Sequence, residues 1–438
     1  MKNRLFLSLG FITTLGMLAL ITPSLFAKEE TKQAKEVSRL EALTKFAKVI
    51  GIVENYYVDE ENITDLIDKS LKGLMSNLDA HSAYLTASDF ENLKVQTDGE
   101  FGGLGITVGM RDGALTVIAP LEGTPADKAG LKAGDIILKI NDKSTLNMNI
   151  DEAVSIMRGK VGTPIDLTIV RKGESKPLQV HIVRGIIKIT SVYAKKIGKE
   201  ILYVRVTSFD KKVVKDVKKA IKDASWAKGM ILDLRNNPGG LLDQAVGLVD
   251  LFVDDGVIVS QKGRYKKDNK TFDASSSSTI TKMPIVVLIN GGSASASEIV
   301  SGALQDHKRA VLVGEKTFGK GSVQVILPVT KKEAIKLTIA RYYLPSGRTI
   351  QAVGVTPDIK VLPGELKVHE DSFMLKEADL KKHLKKELAK VEGKKIDDTK
   401  EKEDKKKIIT KKQLQKDLQL KEGVDIIKAL IITQGEKK

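Results

Sequence analysis

The chain of 438 residues has no cysteine and only five histidines. Without a thiol it can form no disulfide, and thiol catalysis is excluded. Aromatic residues make up 5% of the chain, and no nucleic-acid-binding motif accompanies its net charge of +16. Much of the lysine lies among glutamate and aspartate near the C-terminus. We therefore interpret the excess charge as a solvated surface and expect no nucleic-acid partner.

Only the N-terminus carries a long apolar run. Two basic residues precede an apolar stretch from Leu5 to Ile21, and the segment ends at Ala27. This order is typical of a secretory signal and predicts that residues 1–27 direct the protein to the periplasm or another extracytoplasmic space. Cleavage after Ala27 and retention as an inner-membrane anchor are both open, because Leu25 matches a cleavage site poorly.

The rest of the sequence divides into regions of different periodicity. Apolar residues at three- and four-residue steps predict helices within residues 28–98, and short strands with turns follow in 99–185. Strands that alternate with helices in 186–363 indicate an α/β core. The mixed-charge region 364–438 predicts a helical segment that is partly disordered. Four of its apolar residues are candidates for contacts in an oligomer: Val424, Ile427, Leu430 and Ile431.

One stretch of the α/β region has the pattern that exposes a nucleophile. The apolar run Ile285–Ile289 predicts a buried strand, residues 290–292 interrupt it, and a helix begins within 293–298. Such a turn presents a side chain beside free backbone amides and the positive end of the helix dipole. Because both features stabilise an oxyanion, the pattern predicts that one of the serines in this turn is a nucleophile.

A serine nucleophile needs a neighbouring base to take its proton. None of the five histidines lies in an informative pattern, whereas Lys320 follows Phe318 and is flanked by two glycines. Desolvation in such a setting would lower the lysine pKa from about 10.4 towards about 7–8 and make it a base. The alternative is a solvated surface lysine, and spacing alone does not decide between the two.

Residues 314–321 partly match the pattern of a phosphate-binding loop. Residues 314–320 fit the first seven positions of the P-loop pattern, but the eighth is Gly321 rather than the serine or threonine that holds magnesium. A P-loop opens a helix, whereas residues 322–327 have the pattern of a strand. The sequence therefore argues against an NTPase.

Two short motifs resemble a known family. GGSASASEI, followed by FGKGSVQ with its lysine 25 positions after Ser295, is similar to the signature of the carboxyl-terminal processing (tail-specific) proteases. These are PDZ-containing Ser-Lys peptidases. The resemblance implies that Ser295 is the nucleophile, that Lys320 is the general base, and that Gln324 positions the lysine.

A third motif, at residues 232–240, resembles the family pattern L-D-L-R-x-N-x-G-G. The resemblance implies an oxyanion hole that combines the amide of Ala296, which follows the nucleophile, with a glycine amide from this motif. Gly240 is the preferred glycine and Gly239 is the neighbouring choice. The alternative for both glycines is a tight turn, and the two interpretations are compatible.

Region 99–185 resembles a PDZ domain. Thr124-Pro125-Ala126 and then AGLKAGDII at 129–137 match the domain's core pattern. The loop from Phe101 resembles the carboxylate-binding loop, whose amides would hold a peptide C-terminus. Its candidate binding residues are Gly103, Leu104, Gly105 and Ile106. Arg158 matches an arginine that couples the PDZ domain to the active site in relatives, or is a surface arginine.

Together, these resemblances imply a crotonase-like β-α core with an inserted PDZ domain and helical terminal regions. The expected function is that of an exported serine endopeptidase that recognises the C-terminal region of substrate polypeptides. No metal, nucleotide or other cofactor is implied. A homodimer is expected, and an adaptor or activating protein is left open.

Two other functional classes are alternatives to the peptidase interpretation. One is a PDZ scaffold with an inactive protease core, which intact Ser295, Lys320 and Gln324 disfavour. The other is a crotonase-type acyl-CoA enzyme, which would need neither a PDZ domain nor an export signal.

Overall fold

A computed structural model describes residues 22–366 and 408–435 of the chain. Most of the predicted export signal, and residues 367–407 of the C-terminal region, lie outside these ranges, so the expectations for them stay predictions. In the part of the chain that the structure describes, no helix has both the length and the apolar character needed to cross a bilayer.

The chain forms two compact units, divided between Tyr84 and Leu85. The first contains helices α1 (Thr22–Tyr56) and α2 (Ile63–Ser76), and strand β1 (Ala83–Leu85) lies at the boundary. Helices therefore occupy most of this unit, as its apolar periodicity predicts.

The second unit begins with helix α3 and a β-rich domain. Its elements, in chain order, are α3 (Ala87–Asp98), β2 (Glu100–Gly103), β3 (Ile106–Arg111), β4 (Ala114–Pro120), α4 (Pro125–Lys128), β5 (Ile136–Ile140), β6 (Lys143–Ser144), α5 (Ile150–Met157), β7 (Pro164–Val170), β8 (Leu178–Val183) and β9 (Gly185–Lys188). Strands β3, β4, β5, β7 and β8 form an antiparallel sheet in that order, so β3 is an edge strand, and β2 pairs with β9. The edge strand leaves backbone groups free to pair with another chain.

The largest sheet forms the centre of the second unit. The strands and α-helices of residues 192–360, in chain order, are β10 (Val192–Ile197), β11 (Ile201–Val206), α6 (Val213–Asp223), β12 (Gly229–Asp233), α7 (Leu242–Asp250), β13 (Val257–Gly263), β14 (Lys270–Asp273), β15 (Ile285–Ile289), α8 (Ala296–Asp306), β16 (Ala310–Gly314), β17 (Ser322–Pro328), β18 (Ala334–Tyr343) and β19 (Ile359–Lys360). Strands β19, β16, β15, β12 and β11 are parallel neighbours, and β10 continues the sheet antiparallel to β11. Strands β17, β18, β13 and β14 form a separate antiparallel arrangement in that order.

The parallel strands are mostly apolar because both faces of the sheet are covered. On one face, Val204, Leu232 and Val287 join the core built with α6, α7 and α8. On the other face, Ile231 and Leu288 are equally buried. The α/β core with an inserted β-rich domain, expected from the sequence, is confirmed.

The second face is covered by the C-terminal end of the chain. Strand β20 (Ile408–Ile409) adds to β10, and helices α9 (Lys411–Gln415) and α10 (Leu418–Gly435) follow. Val424 and Ile427 are 2% and 0% exposed and pack with the apolar side chains of the sheet. They serve the core of their own chain, contrary to the expectation of oligomer contacts, because the parallel sheet needs cover on both faces. The α/β core therefore extends beyond residue 363 and includes packing residues from 408–435.

Candidate active site

The predicted nucleophile lies in a strained turn between β15 and α8. Ser295 directly precedes α8 and has a φ of 54°. A positive φ at a residue other than glycine costs about 1–3 kcal/mol and persists only where the surroundings enforce it. The amide of Ala296, the first residue of the helix, has no acceptor among the described residues. The turn therefore places a hydroxyl beside a free amide at a helix N-terminus.

A second turn, residues 234–240 after β12, packs against the first. Asn237 at its centre is fully buried, and its side chain donates to the carbonyl of Val206 (2.9 Å) and accepts from the amide of Gly239 (2.9 Å). The carbonyl of Asn237 accepts from the amide of Ala294 (3.0 Å) and from the hydroxyl of Ser297 (2.9 Å). One asparagine thus holds residues on both sides of the nucleophile.

A pair of asparagines joins the two turns at another point. The amide of Asn236 donates to Oδ1 of Asn290, and Nδ2 of Asn290 donates to Oδ1 of Asn236, both at 2.9 Å. The hydroxyl of Ser293 also donates to the carbonyl of Leu234 (2.8 Å). These bonds fix the second turn relative to the turn of Ser295.

The two predicted oxyanion glycines have different surroundings. Gly239 has a φ of 103°, and a Cβ built on it would lie 2.9 Å from Cβ of Ser295 and 3.0 Å from the nitrogen of Ala296. Its amide is engaged by Asn237. The amide of Gly240 has no acceptor among the described residues, and this residue is exposed. Gly239 therefore supplies the close approach, while Gly240 offers the free donor.

The side chain of Glu298 links the nucleophile turn to the lysine loop. This carboxylate is fully buried and accepts hydrogen bonds at both oxygens. Oε2 accepts from the amides of Ser295 and Lys320, both at 2.8 Å. Oε1 accepts from the hydroxyl of Thr317 (2.6 Å) and the amide of Gly319 (2.7 Å). One carboxylate therefore determines the positions of the Ser295 and Lys320 backbones together.

Burial lowers the pKa of Lys320 below its ordinary value, and the nearby charge of Lys336 lowers it further, while Glu298 acts in the opposite direction. Phe318, which the sequence suggested as cover, is 64% exposed. The Nζ of Lys320 and the Oγ of Ser295 each have no hydrogen-bond partner among the described residues. A lysine with a lowered pKa next to the nucleophile loop is equipped to act as a base.

Gln324 lies on β17, and its side chain bonds to hydroxyl groups of two other residues. Its Nε2 donates to the hydroxyl of Ser322 (2.8 Å) and to that of Thr338 (3.3 Å). In the described structure no hydrogen bond joins Gln324 to Lys320. The predicted positioning of the lysine by Gln324 therefore requires a different side-chain arrangement.

The predicted peptide-binding residues lie at the start of the β-rich domain. Gly103 belongs to β2 and pairs with Gly185, so it is part of a strand rather than of the loop. The amides of Leu104 and Gly105 have no acceptor among the described residues, although both residues are buried. Ile106 begins the edge strand β3. Two consecutive free amides at the end of an edge strand suit a carboxylate.

Arg158 follows α5 and contacts the N-terminal part of the second unit. Its Nη1 donates to Oδ1 of Asn92 (2.5 Å), and its guanidinium carbon lies 4.9 Å from the ring centroid of Phe101. Its buried Nε has no partner in the described part of the chain. None of these contacts reaches the turns around Ser295.

Sequence reasoning missed the residues that hold the site together. Asn236, Asn237 and Glu298 lie inside the recognised motifs and Asn290 directly precedes one, but their roles depend on which turns meet in the fold. No cluster of three or more histidine, aspartate or glutamate side chains in the described residues is suited to hold a metal ion.

Comparison with known proteins identifies the family. Residues 200–361 match Peptidase family S41, and residues 116–171 match the PDZ domain. A carboxy-terminal-processing protease of Bartonella bacilliformis is 45% identical over 359 residues, which cover 80% of this chain and 82% of that protein. The chain belongs to the carboxy-terminal processing protease family.

The chain is also similar to other processing proteases. Carboxy-terminal processing protease CtpA of Bacillus subtilis is 35% identical over 361 residues, which cover 81% of this chain and 77% of that protein. A solved structure titled photosystem II D1 C-terminal processing protease is 26% identical, covers 72% of this chain and 92% of that chain, and has a TM-score of 0.42. The two family models and the two curated relatives confirm the predicted serine-type peptidase with a PDZ domain.

The close approach at Gly239 generates a prediction for this processing protease. We expect Gly239→Ala to lower kcat by about 100-fold, because the new methyl group would displace Ser295 and Ala296, and a misplacement of about 1 Å can have that effect. Steady-state cleavage of an unfolded test protein measures the change.

Gly291→Ala is the matched control in the neighbouring turn. A Cβ at Gly291 would meet no atom within 4 Å, so this variant should keep wild-type kcat. Equal activities for Gly239→Ala and wild type would contradict the geometry of the site.

Proposed function

We propose that this protein is an exported serine endopeptidase in which Ser295 and Lys320 form a catalytic dyad. The observation that carries the proposal is the buried carboxylate of Glu298, which accepts from the backbone amides of both residues. The strained conformation of Ser295 and the lowered pKa of Lys320 support the same assignment.

The reaction begins when neutral Lys320 Nζ takes the proton of Ser295 Oγ, and this oxygen attacks the scissile carbonyl carbon. The resulting oxyanion accepts hydrogen bonds from the amides of Gly240 and Ala296, each typically worth about 3–4 kcal/mol in the transition state. The lysine then returns its proton to the leaving amine, and an acyl-enzyme remains. Water, deprotonated by the same lysine, hydrolyses the ester.

For this reaction, Lys320 Nζ must come within hydrogen-bonding distance of Ser295 Oγ. Since Ser295 Oγ and Lys320 Nζ are not hydrogen-bonded in the structure, the lysine side chain has to approach the serine when substrate binds. Gln324 is the residue we assign to orient it, because its Oε1 accepts no hydrogen bond from the described residues and is free to accept one from Nζ.

The PDZ domain is proposed to bind the C-terminus of a substrate polypeptide. The terminal carboxylate would accept from the amides of Leu104 and Gly105, while the peptide pairs with β3 as an added strand. Half-buried apolar side chains on β3 and α5, including Ile106, Val108 and Val154, favour an apolar peptide.

The proposed function also includes export of the protein and its assembly with partners. The basic and apolar N-terminus supports an extracytoplasmic location, with cleavage or membrane anchoring by residues 1–27. We also propose that the chain forms a homodimer and that an adaptor or activating protein is a partner.

We expect Ser295→Ala and Lys320→Ala each to abolish turnover of an unfolded test protein with an apolar C-terminus. The serine variant lacks the nucleophile, and the lysine variant lacks the base. Mass spectrometry of the fragments measures cleavage, and circular dichroism measures whether each variant is folded. Wild-type cleavage by folded Ser295→Ala would refute the assignment of the nucleophile.

The lowered pKa of Lys320 predicts how activity depends on pH. Only the neutral amine accepts a proton, so kcat should rise with pH as Lys320 loses its proton, with a midpoint below its ordinary value of 10.5. Lys336→Gln removes a charge that lowers this pKa, so the rise should move to higher pH.

Lys332→Gln is the control for the pH experiment, because Lys332 is exposed on the same hairpin and is not among the groups that shift Lys320. A pH profile that is the same for Lys336→Gln and wild type would argue against Lys320 as the base.

Amidation of the substrate C-terminus tests the PDZ proposal. Because an amide lacks the negative charge that the Leu104 and Gly105 amides would bind, KM should rise at least about tenfold, which corresponds to about 1.4 kcal/mol. Matched test peptides with a free or amidated terminus provide the comparison, and equal KM values would exclude carboxylate recognition.

A further inference from the structure

The guanidinium of Arg235 has a partner for each of its five N–H groups. Nε donates to Oδ1 of Asp233 (3.0 Å), and Nη2 donates to Oδ2 of Asp233 (2.7 Å). The remaining bonds go to the C-terminal segment. Nη1 donates to Oδ1 of Asp417 (2.8 Å) and Oε1 of Gln419 (3.1 Å), and Nη2 donates to Oδ2 of Asp417 (2.8 Å). Three of the five donors therefore depend on residues 417–419.

Arg235 belongs to the turn that carries the free amide of Gly240. It directly precedes Asn236, which has a φ of 55° and pairs with Asn290 beside the nucleophile. Asp233 is buried and also accepts from the hydroxyl of Tyr203 (2.8 Å). The arginine side chain is 14% exposed, so an unpaired donor could not recover its hydrogen bond by turning into bulk water.

Asp417 has a second contact, at the start of α10. Its Oδ1 accepts from the amide of Leu420 (3.0 Å). Burial raises the pKa of Asp417, but the hydrogen bonds from Arg235 and Leu420 outweigh it and hold this pKa below its ordinary value. The carboxylate is therefore charged at neutral pH and forms a bidentate pair with the arginine.

The helix itself is held by other contacts. Leu420, Val424 and Ile427 are buried in the core under the sheet, and β20 pairs with β10. Since this apolar docking does not involve the carboxylate, a change at Asp417 can disturb the turn without detaching the helix.

We propose that Asp417 is a positioning residue for the peptidase reaction: it holds Arg235, and through it the turn that presents the Gly240 amide to the oxyanion. This inference rests on the proposed function. When Asp417 loses its charge, the guanidinium keeps its charge but loses its bidentate partner, and the turn shifts to recover hydrogen bonds. The C-terminal segment thereby becomes part of the active-site framework, although it lies nearly two hundred residues from Arg235 in sequence.

The test uses Asp417→Asn in the full chain. Asparagine still caps a helix, so α10 should stay in place. We expect kcat to fall about 10- to 100-fold with KM within about twofold of wild type, as for a misplaced catalytic group. Asp417→Glu, which restores the charge, should recover part of kcat. Asp425→Asn is the control, because Asp425 lies exposed on the same helix and, among the described residues, forms its ion pair with Lys421.

Hydrogen exchange gives a readout that does not depend on activity. The hydrogen-bonded amides within residues 234–239 should exchange faster in Asp417→Asn than in wild type or Asp425→Asn, while the amides of α10 remain protected. Wild-type kcat and unchanged exchange at 234–239 in Asp417→Asn would overturn the inference. Unchanged exchange overturns it even if wild type alone shows no turnover, whereas the proposed function is judged separately by the comparison of wild type with Ser295→Ala.

Discussion

The proposed active site depends on one buried carboxylate, that of Glu298. A carboxylate removed from water must be compensated by hydrogen bonds, and Glu298 obtains four of them from the two segments that carry Ser295 and Lys320. Its position in the first turn of α8 adds the favourable field of the helix dipole. Because each bond is needed to offset the desolvation of the charge, neither segment can move away without a large cost. The positive φ of Ser295 is maintained by this constraint.

The remaining framework extends outward from that centre. Asparagines join the turn of Ser295 to residues 234–240. The amide of Phe209 donates to the carbonyl of Gly239 (2.9 Å), and the carbonyl of Phe209 accepts from the amide of Leu241 (2.8 Å). Just beyond Phe209, Lys212 Nζ donates to the carbonyl of Gly99 (3.0 Å) and contacts Glu100 (2.7 Å), where the PDZ domain begins. Phe209, which bonds to the turn of the proposed oxyanion donor, and Lys212, which contacts the start of the PDZ domain, are thus only three residues apart. A displacement of the domain would act on a segment that is bonded directly to the catalytic turn.

The C-terminal end shows why composition can mislead. Its lysine and glutamate content is typical of a solvated helix, yet Val424 and Ile427 are buried beneath the sheet. Half of the residues of α10 are apolar, and those that face the sheet cover strands whose apolar side chains would otherwise be exposed. Which surface an amphipathic helix covers depends on the shape and area of its partner, and local sequence does not contain that information.

The sequence by itself determined the local elements and the chemistry available to them. Continuous apolar runs predicted the parallel strands, and the serine and glycine motifs predicted the turns, because strand burial and turn conformation are set by neighbouring residues. Only the tertiary structure decided that Glu298 accepts from both Ser295 and Lys320, that the Gly240 amide is free while that of Gly239 is occupied, and that Asp417 reaches Arg235. Each of these contacts joins residues from different elements, and a buried polar group takes whichever partner the packing of those elements brings within reach.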